Sequence, residues 1–366
     1  AGIHRFLRLN RRCGAIGPGF KQDARMDPAL VSIAVPVYNI ARCLSAALDS
    51  LLAQDYIHWE GLLWDDGSSD GSAEIAAEYA RRDPRFRLLG DGGNNGNPRA
   101  LALALAQARG AFVGVLDGDD LLEPAALSSM LAFMAWQPAL GMEYSQYMEI
   151  DEDGRELGLG TRFRKPYSPQ ALLLDFMCHH FRLIRAEAYR AVDGYDGTLD
   201  ESADYDLCLR LSERVPIAHL AQPLYRYRIR RDSVSGSQRL RQVRSAFDAA
   251  QRAVQRRGLD RDHAFSLGLR ARHVLRPKPV AGLAAIGSPD ASDPEAEQCL
   301  RLSPPFDPAS ASPARGWAEQ VEERYRAFVA DAQHRGLDAK YDCALEIDSW
   351  HILQPLRPFG GVGNWR

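Results

Sequence analysis

From Val31 onward the chain alternates between short apolar runs and amphipathic stretches. Val31–Val35 (VSIAV) has the composition of a strand and stops at Pro36. Ile40–Ala53 carries apolar residues at helical spacing, with Asn39 placed to cap it. Glu60–Trp64 (EGLLW) predicts a second strand, closed by Asp65-Asp66-Gly67-Ser68-Ser69-Asp70. Ala73–Arg82 predicts the next helix, with Asp70 or Ser72 suited to its cap. Phe86–Leu89 and the fully apolar Ala111–Leu116 (AFVGVL) predict third and fourth strands, separated by a helix over Arg99–Ala108. The fourth strand runs into Asp117-Gly118-Asp119-Asp120. Strands alternating with helices of this length predict an α/β fold with a mostly parallel, buried sheet covered by helices on both faces. Ligands of such sheets bind beyond the carboxyl ends of the strands. Here that edge carries Pro36-Val37-Tyr38-Asn39 and two acidic clusters.

Further along, Tyr144–Ile150 predicts a strand and Asp151–Gly154 a turn. Ala186–Val192 and Asp204–Arg214 read as helices, and Ile217–Leu220 with Leu224–Ile229 as strand. Ser237–Leu275 reads as helical and Arg-rich, Ala281–Ala314 as a Pro/Ser/Ala-rich linker, and Arg315–Arg335 as a last helix. The organisation expected is an arm over 1–30, an α/β domain over 31–236 and a mainly helical extension over 237–366. The Arg-rich helical face of the extension reads as solvated, or else as a contact for an anionic membrane surface or a protein partner.

Length agrees with this division, since 366 residues correspond to two domains or one large domain with an appendage. Hydrophobic residues at 46% and charged residues at 25% describe a globular chain with material for a core. Lys+Arg at 45 against Asp+Glu at 48 gives a net charge of -3, which argues against a dedicated nucleic-acid binder. No apolar stretch reaches the roughly 18 residues of a membrane span. The N-terminal segment is basic without an apolar centre, so a secretory signal is not expected; it reads as a leader or a weak contact arm. Six cysteines without a CxxC pair read as buried thiols of a reducing cytoplasm.

The acidic clusters decide the chemistry. Asp65-Asp66-Gly67-Ser68 alone fits turn chemistry as well as function. In Asp117-Gly118-Asp119-Asp120, three carboxylates within four residues repel one another unless a cation or hydrogen-bond donors offset them. Mg²⁺ and Mn²⁺ prefer oxygen ligands, and Mg²⁺ takes one or two carboxylates together with substrate phosphates. A site for a metal–diphosphate complex is therefore expected. Asp200-Glu201-Ser202-Ala203-Asp204-Tyr205-Asp206 adds carboxylates at a helix start, some of them complementing the helix dipole. In Tyr225–Ser235 (YRYRIRRDSVS), Arg226 and Arg228 share one strand face and Arg230 and Arg231 follow in a loop. They read as diphosphate donors or as a solvated edge strand.

Taken in order, VSIAVPVYN (Val31–Asn39), DDGSSDGS (Asp65–Ser72), ARGAFVGVLDGDD (Ala108–Asp120), GYDGTLDESADYDLCLRL (Gly194–Leu211) and YRYRIRRDSVS resemble glycosyltransferase family 2. These are inverting nucleotide-sugar transferases with a Rossmann-like GT-A fold, and the resemblance covers roughly Ser32–Ser235. It implies that Pro36, Tyr38 and Asn39 lie beside the nucleotide base and that Asp66 recognises a uracil-type edge. It implies that Asp117, Asp119 and Asp120 form the DxD region, one touching ribose and Asp119 with Asp120 holding Mn²⁺ or Mg²⁺. Asp204 falls on the catalytic base, Arg99 reaches toward the diphosphate, and Arg228 and Arg230 offset its charge. The implied donor is a nucleotide sugar, with UDP favoured, and the acceptor a glycan or other hydroxyl in bacterial polysaccharide synthesis. The implied site is cytoplasmic, with peripheral membrane contact allowed. Two positions depart from the family pattern: Ala203 stands where Glu usually precedes the base, and Arg230 where His is frequent.

Met177-Cys178-His179-His180 lies where the acceptor face passes, and reads as one packed and one solvated histidine or as a sugar contact. A catalytically silent sugar-nucleotide-binding module is the competing function. A sugar-nucleotide pyrophosphorylase would need a Gly-rich, basic loop after Val35, which the sequence lacks.

Overall fold

The computed structural model describes residues 28–199, 201–229, 236–277, 313–336 and 341–355. The arm over residues 1–27, most of the linker over 281–314, Arg230 and the tail after residue 355 lie outside the described residues. Strand β1 (Val31–Val37) is the buried centre of the first half. Helix α1 (Ala41–Leu52) follows, burying Leu44, Ala47, Leu48 and Leu51 at helical spacing. Strand β2 (Trp59–Asp65), helix α2 (Ser72–Arg82), strand β3 (Phe86–Leu89), helix α3 (Asn97–Leu105) and strand β4 (Phe112–Val115) complete it. The four strands pair in parallel in the order β3-β2-β1-β4.

The second half reverses the pattern. Strand β5 (Leu121–Leu122), helix α4 (Ala126–Trp136), strands β6 (Met142–Ile150) and β7 (Glu156–Leu159), helix α5 (Pro169–Leu174), strand β8 (Arg182–Arg185) and helices α6 (Ala186–Ala191) and α7 (Ala203–Ser212) lead to the long strand β9 (Ile217–Arg228). Strand β8 runs antiparallel to β4 and to β6, while β6 and β9 are parallel. The sheet order continues β4-β8-β6-β9-β5. Helix α4 and strand β8 lie in the stretch after Leu122 that carries no clear pattern. Pro223, which has no ladder donor, sits where the β6–β9 register shifts.

Antiparallel insertion of β8 has a functional consequence. Gly114 of β4 faces Leu183, so Arg182 begins its strand level with the carboxyl end of β4. Leu121 faces Arg226 and Ile150 faces Arg228, so the end of β9 closes on the same edge. Asp117–Asp120, Arg182 and Tyr225–Arg228 converge there from positions far apart in sequence.

After the α/β domain, helix α8 (Gly236–Arg256) and helix α9 (Pro313–His334) match the expected helices. Residues 263–275, read as helix, are instead strand: β10 (His263–Pro277) pairs antiparallel with β11 (Tyr341–Pro355). The ribbon packs on α8 through Phe247 stacked on Phe265, with ring centroids 5.2 Å apart, and His351 stacks on Tyr205 of α7. Arginines of α8 and the turn after it face the α/β domain: Arg252 pairs with Asp196, and Arg256 and Arg257 with Glu213. These three arginines are internal contacts. Among the described residues no helix is long and apolar enough to cross a membrane.

Candidate active site

Three loops leave the carboxyl ends of β1, β2 and β4 and lock together. Asn39 turns at a positive φ of 50°. Its side-chain Oδ1 accepts from the Ser69 amide at 2.9 Å, while its own amide donates to Ser68 Oγ at 3.2 Å. The Ile40 amide donates to Ser72 Oγ at 2.9 Å and the Ala41 amide to Asp70 Oδ2 at 3.0 Å. The first amides of α1 are thus capped across the loops by Asp70 and Ser72. This corrects one expectation, since Asn39 does not cap α1, while Asp70 Oδ1 accepts from the Ser72 amide at the start of α2 at 3.0 Å, as expected. Hydrogen bonds from the Ser72 hydroxyl and then the Ala41 amide hold the Asp70 carboxyl below the usual carboxylate range.

Asp66 is buried, and its two oxygens accept from the Asn95 amide at 2.7 Å and the Gly96 amide at 2.8 Å. It therefore fixes the loop that leads into α3. Arg99, expected to open this helix, lies in the first turn of α3, which starts two residues earlier at Asn97. It is exposed and beside Gly197. Gly118 brings the 117–120 loop against β1: an added Cβ would sit 2.9 Å from the Pro36 carbonyl oxygen and in steric conflict with Ile40. Tyr38 is exposed above this junction.

The carboxylates of the 117–120 loop have separate fates. The Asp117 amide donates to the Tyr225 hydroxyl at 3.2 Å, and its Oδ2 lies 3.5 Å from His180 Nε2. Asp119 is half-exposed. Asp120 is buried, and its Oδ1 accepts from the Arg228 amide at 2.7 Å. Its Oδ2 makes no well-formed hydrogen bond, although the Tyr225 hydroxyl lies beside it. Burial first, then the charges of Asp117 and Asp119, push the Asp120 carboxyl well above its ordinary value.

Arg228, expected on a diphosphate, is buried and spans two loops. Its Nε donates to the Asp119 carbonyl oxygen at 2.8 Å, and its Nη1 to those of Asp151 and Glu152 at 3.0 and 2.9 Å. This follows from the strand: β9 pairs with β6 on one side and reaches the acidic loop on the other. Arg226 is likewise committed to Glu123 and Glu156.

On the far side of Asp117 lie His180, His179, Arg182 and Asp204. His180 stacks on Tyr225 and Tyr227, with ring centroids 4.9 and 6.1 Å away. Burial, then the charges of Arg182 and Arg162, hold its pKa well below the ordinary histidine value, so the ring is neutral. His179 meets Arg162 Nη1 at 3.2 Å and is neutral for the same first reason. Neither histidine is simply solvated. Asp204 is in the first turn of α7; its Oδ1 accepts from the Tyr205 amide at 2.8 Å and its Oδ2 from Arg182 Nη1 at 3.3 Å. Asp206, two residues on, is buried and pairs with Arg210, so it serves the helix. Arg182 carries no signal in the sequence: it lies between apolar neighbours, and only the β4–β8 register reveals its place.

The fit of a divalent cation follows from these positions. Among the described residues no three His, Cys, Asp or Glu side chains are grouped to bind an ion by themselves. Asp120, expected as a ligand, is buried with one oxygen taken by a backbone amide. Asp119 remains at the half-exposed lip. One carboxylate suits an ion that brings most of its oxygen ligands with a diphosphate.

Comparison with known proteins agrees with this geometry. The family model described as glycosyl transferase family 2 matches residues 32–193. EpsE of Bacillus subtilis, a protein named as a glycosyltransferase, is 30% identical over 208 residues, covering 56% of this chain and 73% of that protein. The chain belongs to glycosyltransferase family 2. A chondroitin synthase of Escherichia coli is 33% identical over 196 residues, 54% of this chain and 28% of the synthase. A hyaluronan synthase of Pasteurella multocida is 29% identical over 230 residues, 63% of this chain and 24% of the synthase. The family 2 chain thus spans about a quarter of the length of these two synthases. Among solved structures, TarS residues 1–349 of S. aureus with UDP superposes at a TM-score of 0.50, with 20% identity over 60% of this chain and 64% of that one. The mannosyltransferase PcManGT of Pyrobaculum calidifontis with GDP-Man and Mn²⁺ gives 0.51, with 18% identity over 69% and 71%. These likenesses establish the GT-A fold of the α/β domain.

Proposed function

We propose that this family 2 chain is an active inverting glycosyltransferase that moves a sugar from a nucleoside diphosphate, UDP in the first instance, to an acceptor hydroxyl of a growing bacterial glycan. The observation that carries the reading is the convergence of Asp117–Asp119, His180 and Asp204 on one sheet edge. In this reading Pro36, Tyr38 and Asn39 border the base, with Asp66 holding the 90–96 loop against it. Arg99 approaches the diphosphate from α3. Asp119 holds the divalent ion that accompanies the donor; when bound, that ion offsets the charge of the diphosphate.

Asp204 takes the proton of the acceptor hydroxyl as its oxygen forms a bond to the anomeric carbon. The bond from that carbon to the phosphate oxygen breaks on the opposite side, and the nucleoside diphosphate leaves. A single displacement inverts configuration, so an α-linked donor gives a β-linked product. The polysaccharide synthases among the relatives support a glycan acceptor, and the UDP and GDP-Man complexes of similar folds support a nucleotide-sugar donor. A cytoplasmic location follows from the compartment in which nucleotide sugars of this class are made.

Nucleotide release measured over UDP-, GDP- and dTDP-sugars, with Mn²⁺ or Mg²⁺ and with EDTA, tests the reading. Turnover of one donor that EDTA stops is expected. No turnover and no metal-assisted binding of any donor would instead support a silent binding module.

A further inference from the structure

The segment from Cys178 to Arg182 touches both halves of the site. His180 faces Asp117 on the donor side, and two residues later Arg182 meets Asp204 on the acceptor side. Arg182 is buried at 5% exposure, at the start of β8 and level with the end of β4. Its Nη1 donates both to the Cys178 carbonyl oxygen at 2.9 Å and to Asp204 Oδ2 at 3.3 Å. The guanidinium lies 5.8 Å from the Phe176 ring centroid. A permanently charged group whose Nη1 is anchored on a backbone carbonyl, in a buried place beside Phe176, has little freedom to follow a moving carboxylate. The carboxylate must instead take the position that the guanidinium offers.

The other oxygen of Asp204 is held by the Tyr205 amide, so both oxygens are oriented before any acceptor arrives. Such orientation matters because a general base contributes only when it lies within hydrogen-bond reach of the proton it removes. Burying a guanidinium is costly unless it is paired. Here the pair is formed with the one carboxylate of the acidic 201–206 segment assigned to the reaction, while Asp206 is committed to Arg210.

We propose that Arg182 is the positioning residue for Asp204: it fixes the carboxylate toward the acceptor and, through the short Cys178–Arg182 segment, ties that placement to the donor-side Asp117. The inference rests on Asp204 acting as the base. It does not require Arg182 to touch either substrate.

The test compares Arg182→Lys and Arg182→Ala with wild type, using nucleotide release from the sugar donor that the panel identifies. UDP affinity by calorimetry and thermal unfolding are followed on the same samples. Arg182→Lys keeps the charge but loses the planar guanidinium beside Phe176 and the placement of Nη1 between Cys178 and Asp204, so kcat is expected to fall about tenfold or more with donor KM within about threefold. Arg182→Ala is expected to lose more, on the order of a hundredfold, and added guanidinium to restore part of kcat. A kcat within about twofold of wild type in a folded Arg182→Lys protein overturns the proposal. So does a loss of kcat that only tracks the folded fraction and UDP affinity together. If Arg182→Ala does not fold, Arg182→Lys decides by the same criteria. Asp204→Asn separates the two readings: normal turnover in that variant removes the base, and this inference with it. A dead Asp204→Asn beside a fully active Arg182→Lys removes this inference alone.

Discussion

The two halves of the sheet treat their buried carboxyl groups differently. In the β3-β2-β1-β4 half, Glu60 accepts from Ser32 Oγ, the Arg109 amide and Arg87 Nη1 at 2.7, 2.8 and 3.1 Å. Asp66 has both oxygens on backbone amides. In the β8-β6-β9-β5 half, Glu143 is fully buried and neither oxygen has a hydrogen-bond partner among the described residues. Tyr144 Oη, His180 Nδ1 and His219 Nε2 are buried there without partners as well. The first half is organised by its own loops. The second half depends on a few long-range contacts, among them Arg182–Asp204, which the proposed mechanism uses.

That contrast can be sharpened by removing single groups. Asp119→Ala is expected to have the largest effect, lowering nucleotide release by about a hundredfold or more and abolishing its response to Mn²⁺. Steady-state release with and without metal checks it, and an unchanged metal response would move the cation elsewhere. Asp66→Ala frees the Asn95 and Gly96 amides and is expected to weaken UDP binding about tenfold while costing on the order of 1–3 kcal/mol of stability. Calorimetry and denaturant unfolding read the two effects separately.

In the second half, burial pushes the Glu143 carboxyl up to about 9, with the charge of Arg185 opposing. An unfolded glutamate loses its proton near pH 4.3 or so, whereas the folded one keeps it to about 9. The unfolded state therefore binds fewer protons across that window, and stability falls as pH rises through it. Glu143→Gln is expected to unfold at a higher temperature than wild type at pH 8 and to lose most of that advantage at pH 4. Equal differences at both pH values would mean that Glu143 is ionised in the fold. The smallest effect concerns the docked extension. Arg256→Ala breaks a partly exposed pair with Glu213 and is expected to cost about 0.5–1 kcal/mol, with nucleotide release unchanged.

The same contrast explains what the sequence disclosed. The elements from β1 to β4 were legible because each parallel strand is a short apolar run, and its polar terminus lies immediately after it in sequence. Asp66, Asp117 and Asp119 could be placed at that edge this way. Arg182 could not, because its role depends on β8 running antiparallel beside β4, a pairing without local signature. Strand alternation likewise gives a face but not the partner across the sheet, so the contacts of Arg228 with Asp119, Asp151 and Glu152 were not legible. Helix α4 (ALSSMLAFMAW) is apolar nearly all round and so shows little helical period. The β10–β11 ribbon had a signal in Phe265, Leu267, Leu269 and Ala271 at every second position. The Arg-rich composition there read as a continuation of α8. Capping was misplaced because helix α1 takes its caps from a loop about 30 residues downstream.

The central claim is that one edge of the sheet binds the donor while Asp204, held from the other half, performs the proton transfer. The most direct test is nucleotide release by Asp204→Asn beside wild type, with UDP affinity measured on the same preparations. The account predicts a loss of release of about a hundredfold or more with UDP affinity within about threefold. Release near the wild-type rate, or loss of UDP binding in parallel with activity, would contradict it.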